Sequence, residues 1–515
     1  MSVAASRRAR RLAAQQPRRG PALLALLLVA VLIAGAVAAD LALPAAQPPT
    51  AEAVAVDPPA SGTWFCPVTA AEEETAVVSV ATASDDASTV TVVRYVDGAP
   101  QRGEPVEVTS AGQLDVVLDE GAASQPVAVE WAGGPAVVTW RVEGGDSMGA
   151  PCEPSAAPTW LITGFDTSAR SRSTLHLFNP FGSTATARVT FGTPTGPVAL
   201  VLTDSVSVPA GGTVELPLND FEPEQPDLAV TVEVDTGRLV AQGALRLEPT
   251  ENQPGPSGRT VLPGVTAPAE SWSFPDAEQG EGSRSWLSVY NPGEREAAVE
   301  LRVSDPLPEG APLLGETSIP AGGVARVDLA DASSAEAFGV SVDSVTELGV
   351  VVTRVTNATV DGAEGVAASS GGQPDQRWAI AGGGAADRDS AVAVYNPTAE
   401  PITVDVDAGA DTPDSFTGVE LAANGRVQLA LSDVASDRVG IPVRARGTGP
   451  FVMGLRTRSP GENLRFWAAV AVPARAWEGP PTRPAVARDP LLPTRPLPAV
   501  TERALDDGSG SAAAS

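Results

Sequence analysis

The 515-residue chain has no lysine, one histidine (His176), two cysteines (Cys66 and Cys152), three methionines and aromatic side chains at only 4% of its positions. Each shortage argues against a class of activity. Without lysine there is no side-chain amine for Lys–Asn isopeptide cross-links or for sortase attachment through lysine, so a cross-linked, polymerised pilin is disfavoured. One histidine cannot by itself make a Ser-His-Asp triad, and it has no second imidazole for a His-rich metal site. In Leu175-His176-Leu177, alternation turns it away from the two leucines, an exposed strand position. No Gly-x-Ser-x-Gly, P-loop or Gly-x-Gly-x-x-Gly at a strand-to-helix junction is present. Carboxylate pairs are so common that none stands out as a glycosidase pair. The sequence thus offers no catalytic residues, no cofactor-binding residues and no metal ligands, and the expectation is a protein that is not an enzyme.

Long apolar runs are also scarce, with one exception. Arg7, Arg8, Arg10, Arg11, Arg18 and Arg19 lie in a basic region (1–20) without an acid, followed by a small-and-apolar run over 21–39. This order directs the following chain across a membrane and holds the basic end in the cytoplasm. The run just spans a hydrocarbon core of roughly 30 Å, which supports a single-pass anchor in the cytoplasmic membrane. Ala36-Val37-Ala38 has the small-x-small form that signal peptidase cuts, so secretion after cleavage is the alternative. A linker over 40–60 leads to the exported part.

That part is acidic. The chain carries 63 acidic against 34 basic residues, six of the latter in the leader, for a net charge of −29. Such a surface repels phosphate backbones, so nucleic acid is not an expected partner. Cys66 and Cys152 lie at the two edges of the first repeat described below. In an oxidising compartment that placement suits a disulfide tying the ends of the domain together. The alternatives, metal thiolates or a catalytic thiol, find little support beside a single histidine.

What the chain has in abundance is itself. Trp160, Trp272 and Trp378 are each followed eighteen or nineteen residues later by Asn-Pro (Asn179-Pro180, Asn291-Pro292, Asn396-Pro397), then by a small-residue turn (Pro209-Ala210-Gly211-Gly212, Pro320-Ala321-Gly322-Gly323, Ala422-Ala423-Asn424-Gly425). A divergent first copy has Trp64 and Ser110-Ala111-Gly112-Gln113 without Asn-Pro. A period of about 105 residues is too long for a solenoid repeat or one propeller blade and suits a small β-sandwich. Within the second copy, stretches such as Ala185–Phe191 and Leu228–Val234 alternate apolar and polar residues and are rich in Val and Thr, which reads as half-buried antiparallel strands. Apart from the leader, no segment shows helical periodicity.

The expected fold is therefore all-β: four tandem immunoglobulin- or fibronectin-like sandwiches over 61–155, 156–265, 266–372 and 373–477 after the N-terminal transmembrane or signal helix, with a Pro-rich tail over 478–515. Asn-Pro should end a strand and close an Asx turn. Each repeat-initial Trp should plug its sandwich with its indole N–H bonded. Trp131, Trp140, Trp286 and Trp467 mark no repeat start and are the better candidates for sugar-stacking platforms. Asp405, Asp407, Asp411 and Asp414 could line a calcium loop, although their spacing fits no defined one. Short connectors such as Pro151–Pro158 and Gly258–Glu270 predict a jointed rod.

Thr63-Trp64-Phe65-Cys66-Pro67, the run Pro151-Cys152-Glu153-Pro154 through Trp160, and Leu177-Phe178-Asn179-Pro180-Phe181 resemble an uncharacterised family of actinobacterial envelope proteins, a domain of unknown function. The resemblance covers most of residues 60–477. It implies a secreted or anchored envelope protein and supplies no catalytic residues. The functional expectation is a non-enzymatic β-sandwich array presenting a structural or protein-interaction surface in the cell envelope, its partner an unknown envelope protein or glycan. The alternatives are a cell-wall glycan-binding module and an accessory subunit of an envelope glycan-assembly machine.

Overall fold

The computed structural model describes residues 61–478, apart from 71–73, 111, 119–123, 144–147, 251–254, 305–314, 384–388, 410, 435–439, 460 and 462. The basic leader, the apolar run, the linker and the tail lie outside these residues. Among the described residues no helix is long and apolar enough to cross a membrane. Among the described residues the fold is all-β, with several antiparallel sheets, a few single 3₁₀ turns and one short helix, Ala474–Glu478.

The strand order follows the sequence periodicity. In the first segment Ser61–Cys66 pairs with Val127–Gly133, which pairs with Ser88–Val96. The facing sheet runs Gln113–Leu118, Thr75–Thr82, Ala136–Glu143, Gly149–Pro151. Between 159 and 262 the same order recurs: Thr159–Phe165, Leu228–Thr236 and Ala185–Thr193 opposite Thr213–Pro217, Ser171–Phe178, Val240–Leu247 and Gly258–Leu262. It is found again after 271 and after 375. There Ser271–Gly280 and Ile441–Ser459 are long enough to pair in one layer and then in the other, so each segment forms one eight-stranded sheet. Alternation is the cause: in Ala185–Thr193 every second residue from Ala185 is buried and the intervening residues are more exposed, up to the last turn of the strand.

The repeated landmarks fix the segments internally. All four tryptophans at the segment starts are buried, and each indole N–H donates to a backbone carbonyl across the segment. The acceptors are Ala136 for Trp64 (2.7 Å), Leu239 for Trp160 (2.8 Å), Val350 for Trp272 (2.8 Å) and Phe451 for Trp378 (2.8 Å). The bond satisfies the one polar atom that burial of an indole would otherwise strand. Each Asn of Asn-Pro is fully buried. Its Oδ1 accepts the N–H two residues on (Phe181, Gly293, Thr398) in an Asx turn, while its Nδ2 donates to carbonyls of the corner and of the strand leading into the small-residue turn. In that turn Gly211 and Gly322 both adopt φ 63° and Asn424 φ 56°, a left-handed conformation that favours Gly and Asn.

The rod expected from the connectors is not what forms: all described residues belong to one compact unit. Each corner docks on the segment before it. Phe178 meets Tyr95 edge-to-face at 5.0 Å, and the Tyr95 hydroxyl donates to Pro180. Tyr290 shares a hydrogen bond of 2.7 Å with Thr231, and Tyr395 one of 3.2 Å with Ser341. A Cβ on Gly211 would lie 2.0 Å from the Gly98 carbonyl oxygen, and one on Gly322 2.8 Å from Pro197, so the turns seat by backbone. The last segment then returns to the first. Arg444 donates to the Ser84 carbonyl and to Asp85, and Gly382 N–H donates to Gln113 Oε1 at 2.8 Å. Gly149–Pro151, Gly258–Leu262, Ala363–Ser370 and Arg465–Val470 touch in cyclic order around the middle. The result is a closed ring of four segments.

Three further sequence expectations are not met. His176 is buried, with Nδ1 3.4 Å from Glu215, because its cross-strand neighbour Gln242 donates to Pro67 of the first segment and that face is covered. The His176 hydrogen bond holds the Glu215 carboxyl below its ordinary range. Trp131, Trp140, Trp286 and Trp467 are all buried and offer no platform to a sugar. Gly258–Leu262, read as part of a connector, is one of the four inner strands.

Candidate functional site

The inner strands all end at the same pole of the ring, where the chain passes to the next segment. These passages surround a cavity of about 250 Å³ to which all four segments contribute. Pro151 to Pro154 come from the first segment, Pro263 and Gly264 from the second, Ser369 to Gln373 from the third, and Ala469 to Pro473 with Arg475 and Ala476 from the fourth. Trp64, Trp272 and Trp378 also border it, so the core tryptophans are its inner wall. The corners pack directly on the indoles: a Cβ on Gly371 would lie 2.9 Å from Trp272, and one on Gly264 2.8 Å from Trp160.

The disulfide forms one side. Cys66 and Cys152 are joined, with Cα atoms 4.6 Å apart across 86 positions, and Cys152 lies in the cavity wall. Backbone bonds in both directions between Phe65 and Glu153 (2.8 Å each) hold the next residue at the rim. Glu153 contributes to the cavity wall as a half-buried residue, and its carboxyl has no hydrogen bond or ion pair among the described residues. Loss of water around it pushes its pKa up to about 8. The Ser369 hydroxyl, buried in the same wall, has no hydrogen-bond partner among the described residues. Arg475 is occupied: it donates to the Gln373 and Pro374 carbonyls and lies 3.6 Å from Asp375.

Sequence reasoning did not single out Glu153. It read Cys152-Glu153-Pro154 as connector, where an acid passes for a solvated one. The available signal was an acid fixed between a disulfide half-cystine and a proline.

A second charged locus lies between the third and fourth segments. Asp276 and Glu278 are buried against Arg426, Arg456 and Arg458 of the next segment, with Arg354 behind them. Burial alone would raise the Asp276 carboxyl, but Arg456, Arg354, Arg426 and Arg458 together hold it below the ordinary carboxylate range. Arg354 is lowered by burial, and its Nε and Nη1 lack hydrogen-bond partners among the described residues.

The Asp405–Asp414 stretch does not converge on a point. Asp405 accepts the Gly418 N–H at 2.7 Å, and Asp407 accepts the Gly409 N–H at 2.8 Å and pairs with Arg444. No three His, Cys, Asp or Glu side chains among the described residues are grouped to hold a metal ion.

Residues 106–348 match the model of a family of unknown function, DUF5719. Over that span the chain is similar to an uncharacterised family. No curated protein matches the chain. Among solved structures, a Salmonella alpha-2-macroglobulin is 12% identical, with 81% of this chain and 40% of that one covered and a TM-score of 0.13. Escherichia coli alpha-2-macroglobulin in its native conformation gives 10%, 81%, 40% and 0.12. The chain thus spans about 40% of the length of these structures.

Proposed function

We propose that this chain is a non-enzymatic, membrane-anchored extracytoplasmic scaffold: four immunoglobulin-like sandwiches closed into one rigid ring that presents an interaction surface to another protein of the cell envelope. The observation that carries the reading is the tip Val201–Leu202. These adjacent apolar side chains are 94% and 81% exposed, the most exposed large hydrophobics among the described residues. The tip is held in place. The Thr203 hydroxyl beneath it donates to Val189 at 2.8 Å and Leu200 at 3.2 Å, and Asp204 accepts from Arg188 at 2.7 Å. An apolar pair fixed in water by a buried anchor suits capture by a partner, because no ordering cost remains to be met on binding. The buried tryptophans disfavour the alternative of a flat glycan platform.

The test is in-cell photo-crosslinking from position 205, beside the tip, in the parent and in a Val201→Ser, Leu202→Ser variant. The reading expects one protein cross-link in the parent that the variant loses with unchanged thermal stability. Cross-links identical in both, or wall glycan as the sole adduct, would overturn it.

A further inference from the structure

We propose that the central cavity is a binding site for an organic ammonium ion carrying an apolar body, with Glu153 as its counter-ion. The geometry sets three requirements on an occupant. First, the wall is mainly proline, alanine, valine, glycine and the borders of Trp64, Trp272 and Trp378, so most of the occupant must be apolar. Second, the volume of about 250 Å³ admits a ring-sized group, and excludes an extended glycan chain. Third, the one acid in the wall has no partner among the described residues. Among the described residues the only other charged lining group is Arg475 from the short helix, and its guanidinium is turned to the Gln373 and Pro374 carbonyls and to Asp375. The inner strands Ala363–Ser370 and Arg465–Val470 bring no titratable side chain to the lining. A half-buried carboxylate that has no partner among the described residues, beside a tryptophan-bordered cavity, is best complemented by a weakly hydrated cation. The Ser369 hydroxyl adds a polar contact in the same wall, whereas the Gln373 side-chain amide is taken up by the Ser271 carbonyl.

The site needs its acid ionised. With the carboxyl near 8, only about a tenth of the protein is competent at pH 7 and about nine-tenths at pH 9, so the apparent affinity for a permanently charged cation should rise about tenfold over that interval. Anions should be excluded at both pH values.

The experiment titrates the purified full chain with benzyltrimethylammonium, benzyl alcohol and phenylacetate at pH 7 and pH 9, read by calorimetry and tryptophan fluorescence. The proposal expects saturable binding of the ammonium alone, tightening about tenfold at the higher pH. Glu153→Gln should bind it at least tenfold more weakly at pH 9 and lose the pH dependence. Ala476→Phe, a half-buried position at the cavity edge, should block binding while leaving the melting curve close to that of the parent. Equal or better binding of the alcohol or the acid, an ammonium affinity unchanged in Glu153→Gln, or no binding at millimolar concentration would each overturn the proposal. It is independent of the protein-partner reading, since none of its probes reaches the Val201–Leu202 tip.

Discussion

Arg444 donates from Nη1 to the carbonyl oxygen of Ser84, a residue 360 positions earlier in the chain. The same guanidinium bonds Asp85 at 3.0 Å and pairs with Asp407, so one side chain ties the last segment to the corner of the first. That corner lacks the Asn-Pro that docks the other three. Arginine does there what an aromatic residue and an Asx turn do elsewhere.

Removing this clasp should loosen the closing junction. Arg444→Ala is expected to cost about 1.5–3 kcal/mol, the range for hydrogen bonds to a charged group. Hydrogen exchange should quicken around 83–86 and 441–446 and remain unchanged at the Tyr290–Thr231 junction. Unchanged exchange at the closing junction would show that closure rests on other contacts.

The core role of the segment-start tryptophans predicts a large penalty. Trp160→Ala removes a fully buried indole and leaves the Leu239 carbonyl without its donor, for about 3–5 kcal/mol by urea unfolding. Because hydrophobic contacts run continuously from Phe65 and Tyr95 through the second segment to Trp286 and Val355, the loss should lower one shared transition. A separate early transition covering only 156–265 would contradict a shared core.

The Asx corners separate donor from acceptor roles. Asn291→Asp keeps an oxygen for the Gly293 N–H, but cannot donate to Arg295, Ile319 and Pro320. It places a carboxylate against three carbonyls in a fully buried position, so at neutral pH it should destabilise more than Asn291→Ser, by about 1–3 kcal/mol. Recovery at acid pH, where the carboxyl regains a proton to donate, would be measured as a convergence of the two melting temperatures.

Glu153 gives the fold a pH dependence of defined sign. Its carboxyl releases its proton near 8 in the folded protein and near 4.5 when unfolded. Between these values the folded state binds more protons, so its contribution, complete below about 4.5, is lost as pH rises toward 8. Glu153→Gln should therefore melt close to the parent at pH 4 and several degrees above it at pH 9. A variant that tracks the parent across the range would place the carboxyl in ordinary water.

The strands, the plugs and the corners were legible because each is a local matter. Alternation marks a half-buried strand, and Asn-Pro needs only its own corner to satisfy its amide. The ring was not legible, because it is written on the faces that alternation assigns to solvent. Thr163 and Ser288 share a hydrogen bond of 2.7 Å between neighbouring segments, and Thr260 accepts the Ala368 N–H at 2.9 Å. Asp276, Glu278 and Arg456 look like a charged exterior and instead fill a junction, paired with one another. Small polar and paired charged residues give no sign in sequence of whether water or a neighbour covers them. The central cavity has the same origin, since its walls converge only when the fourth segment meets the first.

Closure is the central claim, and small-angle scattering of residues 60–477 tests it most directly. A closed body of this length should give a radius of gyration near 22 Å, somewhat larger if the middle is open. Four bodies of about 13 Å radius of gyration strung end to end would give about 40 Å. A value below about 26 Å, with a distance distribution ending well short of a rod, is the predicted result; a value approaching 40 Å would contradict the ring.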